Sequence, residues 1–141
     1  MKVKVLFTGK TTEPWVRQGI EDYAARILHY VPFELVELRD EEMILKSLRS
    51  ADHLVLLDEH GATYSSLDWA RNLEQKAAHL PKDLVFAVGG PYGFPAAVLA
   101  RSQELLSLSR MTFSHQLVRV VFLEQLYRAF TIIRGEPYHH E

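Results

Sequence analysis

The sequence predicts an open, largely parallel α/β sheet covered by helices on both faces, and three observations carry that prediction. Residues 53–58 and 84–88 are nearly continuous apolar runs, as in strands covered on both sides. Between and around them, strand-like segments alternate with segments of helical period. The second run breaks into a turn rich in glycine and proline, Gly89-Gly90-Pro91-Tyr92-Gly93-Phe94-Pro95. In such sheets ligands bind beyond the carboxyl ends of the strands.

Taken in order, residues 3–7 alternate as an opening strand, and a polar loop over 9–14 leads into a helix. Within 15–30 the apolar residues Trp15, Val16, Ile20, Tyr23, Ala24, Ile27 and Leu28 recur at three- and four-residue spacing, which predicts one buried stripe. Residues 33–38 alternate apolar and acidic side chains, a strand near a sheet edge. A short helix over 40–49 follows, then the buried strand 53–58, ended by acid and Gly61. A helix is expected over 66–79 with Ser65 or Ser66 as its cap. After the 84–88 strand come a helix near 96–103, a short strand near 105–108, a polar stretch through His115, and a long helix over 116–133. No repeat, low-complexity segment or linker interrupts this pattern, so residues 1–141 are read as one domain.

Composition narrows the function. The 141 residues are 48% hydrophobic and 24% charged, with 16 Lys+Arg against 18 Asp+Glu and no cysteine. One core of that size stabilises itself without disulfides or a structural metal, and disulfides, thiolate metal sites and thiol catalysis are excluded. No apolar stretch reaches the roughly 18 residues of a membrane span, and the first residues are too short and too alternating for a signal peptide; the expectation is a cytoplasmic protein. A formal net charge of -2 argues against binding bare nucleic acid by electrostatics.

Three strand-end loops carry the candidate chemistry. The glycines of the 89–95 turn allow backbone groups close to a ligand, and no Gly-Lys-Ser/Thr follows, which suits an adenosyl ligand better than a triphosphate. Leu57-Asp58-Glu59-His60-Gly61 reads as a solvated turn lining a pocket rather than a metal cluster. The third loop runs through hydroxyls, Arg110 and His115, with Ser114 available to cap the last helix. That helix is apolar almost all round, so one side of it is expected to meet a partner subunit. Arg119 and Arg128, nine residues apart, fall on opposite faces, and Glu124 pairs with Arg128 at i, i+4. Tyr138, His139 and His140 stand near the end of the sequence; the Pro137-Tyr138 lead-in makes ordered placement in a site an expectation of equal weight with a frayed end.

Val-Gly-Gly-Pro-Tyr-Gly-Phe, Leu-Ser-Leu-Ser-Arg-Met-Thr-Phe-Ser-His-Gln-Leu-Val-Arg, Glu-Gln-Leu-Tyr-Arg-Ala-Phe and Pro-Tyr-His-His-Glu together resemble the SPOUT-class ribosomal RNA large subunit methyltransferase H family, whose members methylate N3 of a pseudouridine. The resemblance runs nearly end to end. It departs from the family pattern in a short region between Leu38 and Leu54, in Gln116 where the family has Pro, and in His140 where the family has Arg. It implies a trefoil knot near the carboxyl terminus, a homodimer, 23S ribosomal RNA within the ribosome as substrate, and S-adenosyl-L-methionine as donor, without metal. The cofactor residues it implies are Leu57, Gly89, Gly90, Leu108, Ser109, Arg110, Met111, Thr112 and Phe113. Since the acceptor imide must lose a proton, His139 or His115 is expected to assist its removal and Tyr138 to orient the base. Arg119 and Arg128 are expected to hold phosphate or a developing oxyanion. Two other readings remain at this stage: a methyltransferase of transfer RNA ribose, and a non-catalytic ribosome-associated module.

Overall fold

The computed structural model describes residues 1–80 and 82–140. Five parallel strands form one sheet in the order β2-β1-β4-β3-β5, from β1 (Val3–Thr8), β2 (Phe33–Leu38), β3 (His53–Ala62), β4 (Leu84–Val88) and β5 (Glu104–Leu106). The order explains the patterning. Every residue of β4, flanked by β1 and β3, is buried, whereas β2 at the edge is half-buried throughout apart from an exposed Glu37.

Side chains alternate across the strands and feed two cores. Val3, Val5 and Phe7 face one side with α1 (Pro14–Ile27), α3 (Ser66–His79) and α5 (Leu117–Ile133). Leu6, Leu54, Leu56, Val85 and Ala87 face the other, against Ile44 of α2 (Met43–Lys46) and Val98 of α4 (Ala96–Arg101). Helices therefore cover both faces, as expected. Ser65 caps α3 by accepting a hydrogen bond from the Asp68 N–H at 3.1 Å. Among the described residues no helix is long and apolar enough to cross a membrane.

Several expected elements shift. Trp15 and Leu28 are 58% and 57% exposed: the buried stripe of α1 is Val16, Ile20 and Ile27, and a residue next to a stripe position points about 100° away from it. The helix expected over 40–49 contracts to the single turn of α2, and β5 is Glu104–Leu106 instead of 105–108.

The most consequential difference is in β3, which does not stop at Asp58. Leu57 and Ala62 both oppose Leu106 of β5, so residues 58–61 arch out and the strand then resumes pairing. Gly61 makes this geometry available, because a Cβ there would stand 2.5 Å from the Leu105 carbonyl carbon and 2.6 Å from the Leu106 nitrogen. From β5 the chain crosses the carboxyl edge of the sheet through residues 107–116 and enters α5, which packs on α1 and α3.

A candidate cofactor cleft at the carboxyl edge of the sheet

The arch within β3 and the loops that follow β4 and β5 meet around one cleft of about 590 Å³, within the range of small-molecule sites. Leu57 and the arch of Asp58, Glu59 and His60 form one wall. Gly89 to Phe94 form the second, and Leu106 to Ser109 with Met111 to His115 form the third; Val118 of α5 also faces it.

Each wall is fixed locally. Asp58 Oδ1 accepts from the His60 N–H at 2.8 Å and shapes the arch. In the second wall Gly93 adopts a left-handed conformation (φ +77) and its N–H donates to the Gly90 carbonyl at 3.3 Å. The Phe94 ring lies 3.1 Å from where a Cβ on Gly89 would stand, a tight approach. In the third, the Ser107 hydroxyl donates to the Ser109 carbonyl at 2.9 Å, and Ser109 Oγ accepts from the Met111 N–H at 3.0 Å. Ser114 opens α5 as anticipated: its hydroxyl accepts from the Leu117 N–H and its carbonyl from the Val118 N–H, each at 3.0 Å.

Among the described residues no Lys or Arg lines the cleft, while Asp58 and Glu59 bring carboxylates to it. Such a field suits a sulfonium cation with an adenosyl group and is unsuited to a polyphosphate. Leu57, Gly89, Gly90, Leu108, Ser109, Met111, Thr112 and Phe113 all line it, as does His115. Arg110 is the exception among the expected cofactor residues, exposed and outside the lining.

The other expected catalytic residues lie elsewhere. Arg119 is 1% exposed. Its guanidinium donates to the Thr8 carbonyl at 2.8 Å and Thr11 Oγ1 at 2.9 Å, pairs with Glu37 at 3.4 Å, and sits over the Phe7 ring. Burial lowers its pKa and Glu37 works in the opposite direction. The structure thus uses Arg119 as a clasp between α5 and the ends of β1 and β2 instead of presenting it to an external anion. Burial by itself would raise the Glu37 carboxyl. Hydrogen bonds from the Thr11 hydroxyl and N–H, with Arg119 and Arg17, outweigh it and hold the group below the ordinary glutamate value.

Arg128, Tyr138 and His139 form a second cluster at the other end of α5. Tyr138 donates its phenol hydrogen to Glu124 at 2.8 Å, and its ring lies against Tyr127 and under Arg128. Burial and that bond push the phenol well above its ordinary pKa, so it stays a donor. Arg128 pairs with Glu124 at 2.8 Å, the i, i+4 bridge expected from the sequence. It also meets His139 Nδ1 at 3.0 Å. Guanidinium only donates, so Nδ1 is the acceptor and the His139 ring proton is on Nε2. His140 is exposed. Val118 and Arg128 are separated by ten residues of α5, about 15 Å along the axis, so one chain does not bring this cluster to the cleft.

The cleft residues Ser107, Phe94 and Val118 lie in or beside stretches the sequence marks as candidate loops but are not among the expected cofactor residues. The first two follow lining residues in their loops, and Val118 lies one helical turn beyond Ser114, so a signal existed for each.

Comparison with known proteins agrees with this geometry. The family model described as "Predicted SPOUT methyltransferase" matches residues 1–139. Ribosomal RNA large subunit methyltransferase H of Geotalea daltonii is 49% identical over 153 positions, covering 99% of this chain and all of the relative. Its namesake from Parabacteroides distasonis is 45% identical over 157 positions, covering both chains completely; that alignment is longer than this 141-residue chain, which therefore lacks residues its relative has. Among solved structures, the SpoU methyltransferase AviRb from Streptomyces viridochromogenes in complex with AdoMet shares the fold (TM-score 0.56, 14% identity, 95% of this chain and 58% of that one). So does a protein described under 2-OH methylation of C/U34 on tRNA (TM-score 0.52, 14% identity, 96% and 98%).

Proposed function

The chain belongs to the SPOUT methyltransferase family, and from that premise we propose that it transfers a methyl group from S-adenosyl-L-methionine to N3 of a pseudouridine in 23S ribosomal RNA. The full-length likeness to large-subunit methyltransferase H proteins at 45–49% identity supports the ribosomal substrate. The tRNA methylation structure shares only 14% of its residues with this chain and speaks for the fold alone. A purely binding role is not favoured by the full-length likeness to proteins named as methyltransferases.

The observation that carries the reading is the convergence of the β3 arch and two strand-end loops on one cleft, lined by eight of the nine residues expected to hold the cofactor. Bound there, S-adenosyl-L-methionine supplies an electrophilic methyl group, and what the protein must add is alignment and removal of the acceptor proton. We assign the proton to His115, which the chain itself presents at the cleft; in the docked tail the acceptor nitrogen of His139 is engaged by Arg128. Backbone groups of Gly89, Gly90 and the 108–113 segment would hold the adenosyl group.

The carboxyl-terminal cluster enters the reading through a homodimer. Leu117 and Val121 remain half-buried on α5 with Trp15 exposed on α1, an apolar face that a second copy would cover. Such pairing would place one protomer's tail near its partner's cleft, which the 15 Å separation within one chain precludes. The trefoil knot and the cytoplasmic location, where ribosomes are found, belong to the same proposal.

The test is incubation of purified protein and labelled S-adenosyl-L-methionine with 70S ribosomes, separated subunits, free 23S RNA and transfer RNA. Label at one pseudouridine of 23S RNA is the expected result. Label in transfer RNA ribose, or cofactor binding without transfer to any substrate, overturns it.

A further inference from the structure

Tyr92 and Met111 are 98% and 79% exposed, the two most exposed large apolar side chains among the described residues, and both line the cofactor cleft. Neither stands on a loose backbone. Pro91 fixes the approach to Tyr92 and the Gly93-to-Gly90 hydrogen bond closes its turn, while Met111 is tied to Ser109. They come from different walls, one from the loop after β4 and one from the loop after β5.

The occupant beside them is constrained by charge. No Lys or Arg lines the cleft and two carboxylates do, so a phosphate entering there would be repelled. A neutral planar base with its edges in water and its faces on apolar groups fits all three observations. Exposed aromatic rings hold unstacked RNA bases in this way, independently of phosphate charge. Resting on the RNA methyltransferase reading, we propose that Tyr92, with Met111 exposed on another wall of the same cleft, is a stacking platform for an unpaired base of the substrate RNA at the mouth of the cleft. Tyr92 is then a positioning residue that acts on substrate capture and leaves cofactor binding to the deeper walls.

The experiment has two arms. In the first, single-turnover methyl transfer is followed against ribosome concentration for wild type, Tyr92→Ala and Tyr92→Phe, with calorimetry of S-adenosyl-L-methionine alone and sedimentation alongside. Tyr92→Ala is expected to raise the half-saturating ribosome concentration about tenfold with the limiting rate kept within about twofold; Tyr92→Phe restores capture. Unchanged capture in Tyr92→Ala overturns the proposal. So does a parallel loss of cofactor affinity, which would make the ring a lid on the donor, or a loss of self-association, which would make it a subunit contact. In the second arm, Tyr92→Trp is titrated with a short single-stranded RNA containing the methylated sequence, and its emission is compared with wild type. Extra quenching is expected, and its absence overturns stacking. If wild type transfers no methyl group, the enzymatic reading fails, while the quenching arm still decides whether the ring binds a base.

Discussion

Arg119→Met separates a clasp from a catalytic cation. Methionine refills most of the space, so the change removes charge and hydrogen bonds without a large cavity. Lost are the bonds to the Thr8 carbonyl at 2.8 Å and Thr11 Oγ1 at 2.9 Å, and the pairing with Glu37 at 3.4 Å. Breaking a buried pair by removing one member costs about 3–5 kcal/mol, because the remaining partner stays desolvated; Glu37 is partly exposed and retains its Thr11 bonds, which favours the lower end. Against a total stability of roughly 5–15 kcal/mol, the variant should fold at low temperature with a Tm lowered by about 10 °C. Urea unfolding measures the first quantity. Single-turnover methyl transfer per folded molecule, well below the new Tm, measures the second, and is expected to stay within about threefold of wild type. Undiminished stability with transfer abolished would refute the clasp and return Arg119 to the reacting groups.

Other substitutions probe separate links. Gly61→Ala forces a methyl group against the Leu105–Leu106 backbone, which cannot yield as a side chain would; a loss of about 2–3 kcal/mol and weaker cofactor binding by calorimetry are expected, because the 107–113 wall follows β5 directly. Since the Glu37 carboxyl is held below its ordinary value, its stabilising contribution is fully present above the unfolded glutamate pKa of about 4.3 and is lost as pH falls through the lower folded value. The stability gap between wild type and Glu37→Gln in urea titrations should therefore narrow as pH drops from 6 through that window. His115→Ala should slow single-turnover transfer by about 10²-fold or more at saturating cofactor; if neither it nor His139→Ala changes the rate, neither of these two histidines is the base. The affinity for ribosomes should fall only shallowly with salt, with a log–log slope nearer -2 than the -6 to -10 of a protein neutralising many phosphates.

The architecture was legible because it is written in periodicity. Strands β3 and β4 declared their central places by unbroken apolar runs, and β2 its edge position by alternating glutamates. The cleft was legible for the same reason, since its walls are the loops that parallel-sheet topology places together. What could not be read depends on contacts far apart in sequence. Arg119 finds its partners in Thr8, Thr11 and Glu37, between 82 and 111 residues away, and no local pattern distinguishes a buried arginine from a ligand-binding one. Gly61 looked like a strand terminator because only the neighbouring β5 backbone shows why a missing Cβ lets the strand continue.

The net charge of -2 is best understood through where the cations are. A site for a sulfonium donor cannot also be ringed with arginines, since like charges within a few ångströms would raise the cost of holding the donor. The chain obeys this by sorting its charge. Arg119 is sealed beneath α5, Arg26, Arg128 and Arg134 lie over tyrosine rings, and among the described residues the cleft is lined by Asp58, Glu59, His60 and His115 but by no Lys or Arg. Apart from the exposed Arg110 beside the third wall, the described lining then offers an RNA phosphate no Lys or Arg at the point of chemistry. Recognition must come from the face of a base, for which Tyr92 is placed, and from the shape of an assembled ribosome around it. On the proposed reading, weak affinity for naked RNA is therefore expected from accommodating a cationic donor in so small a domain.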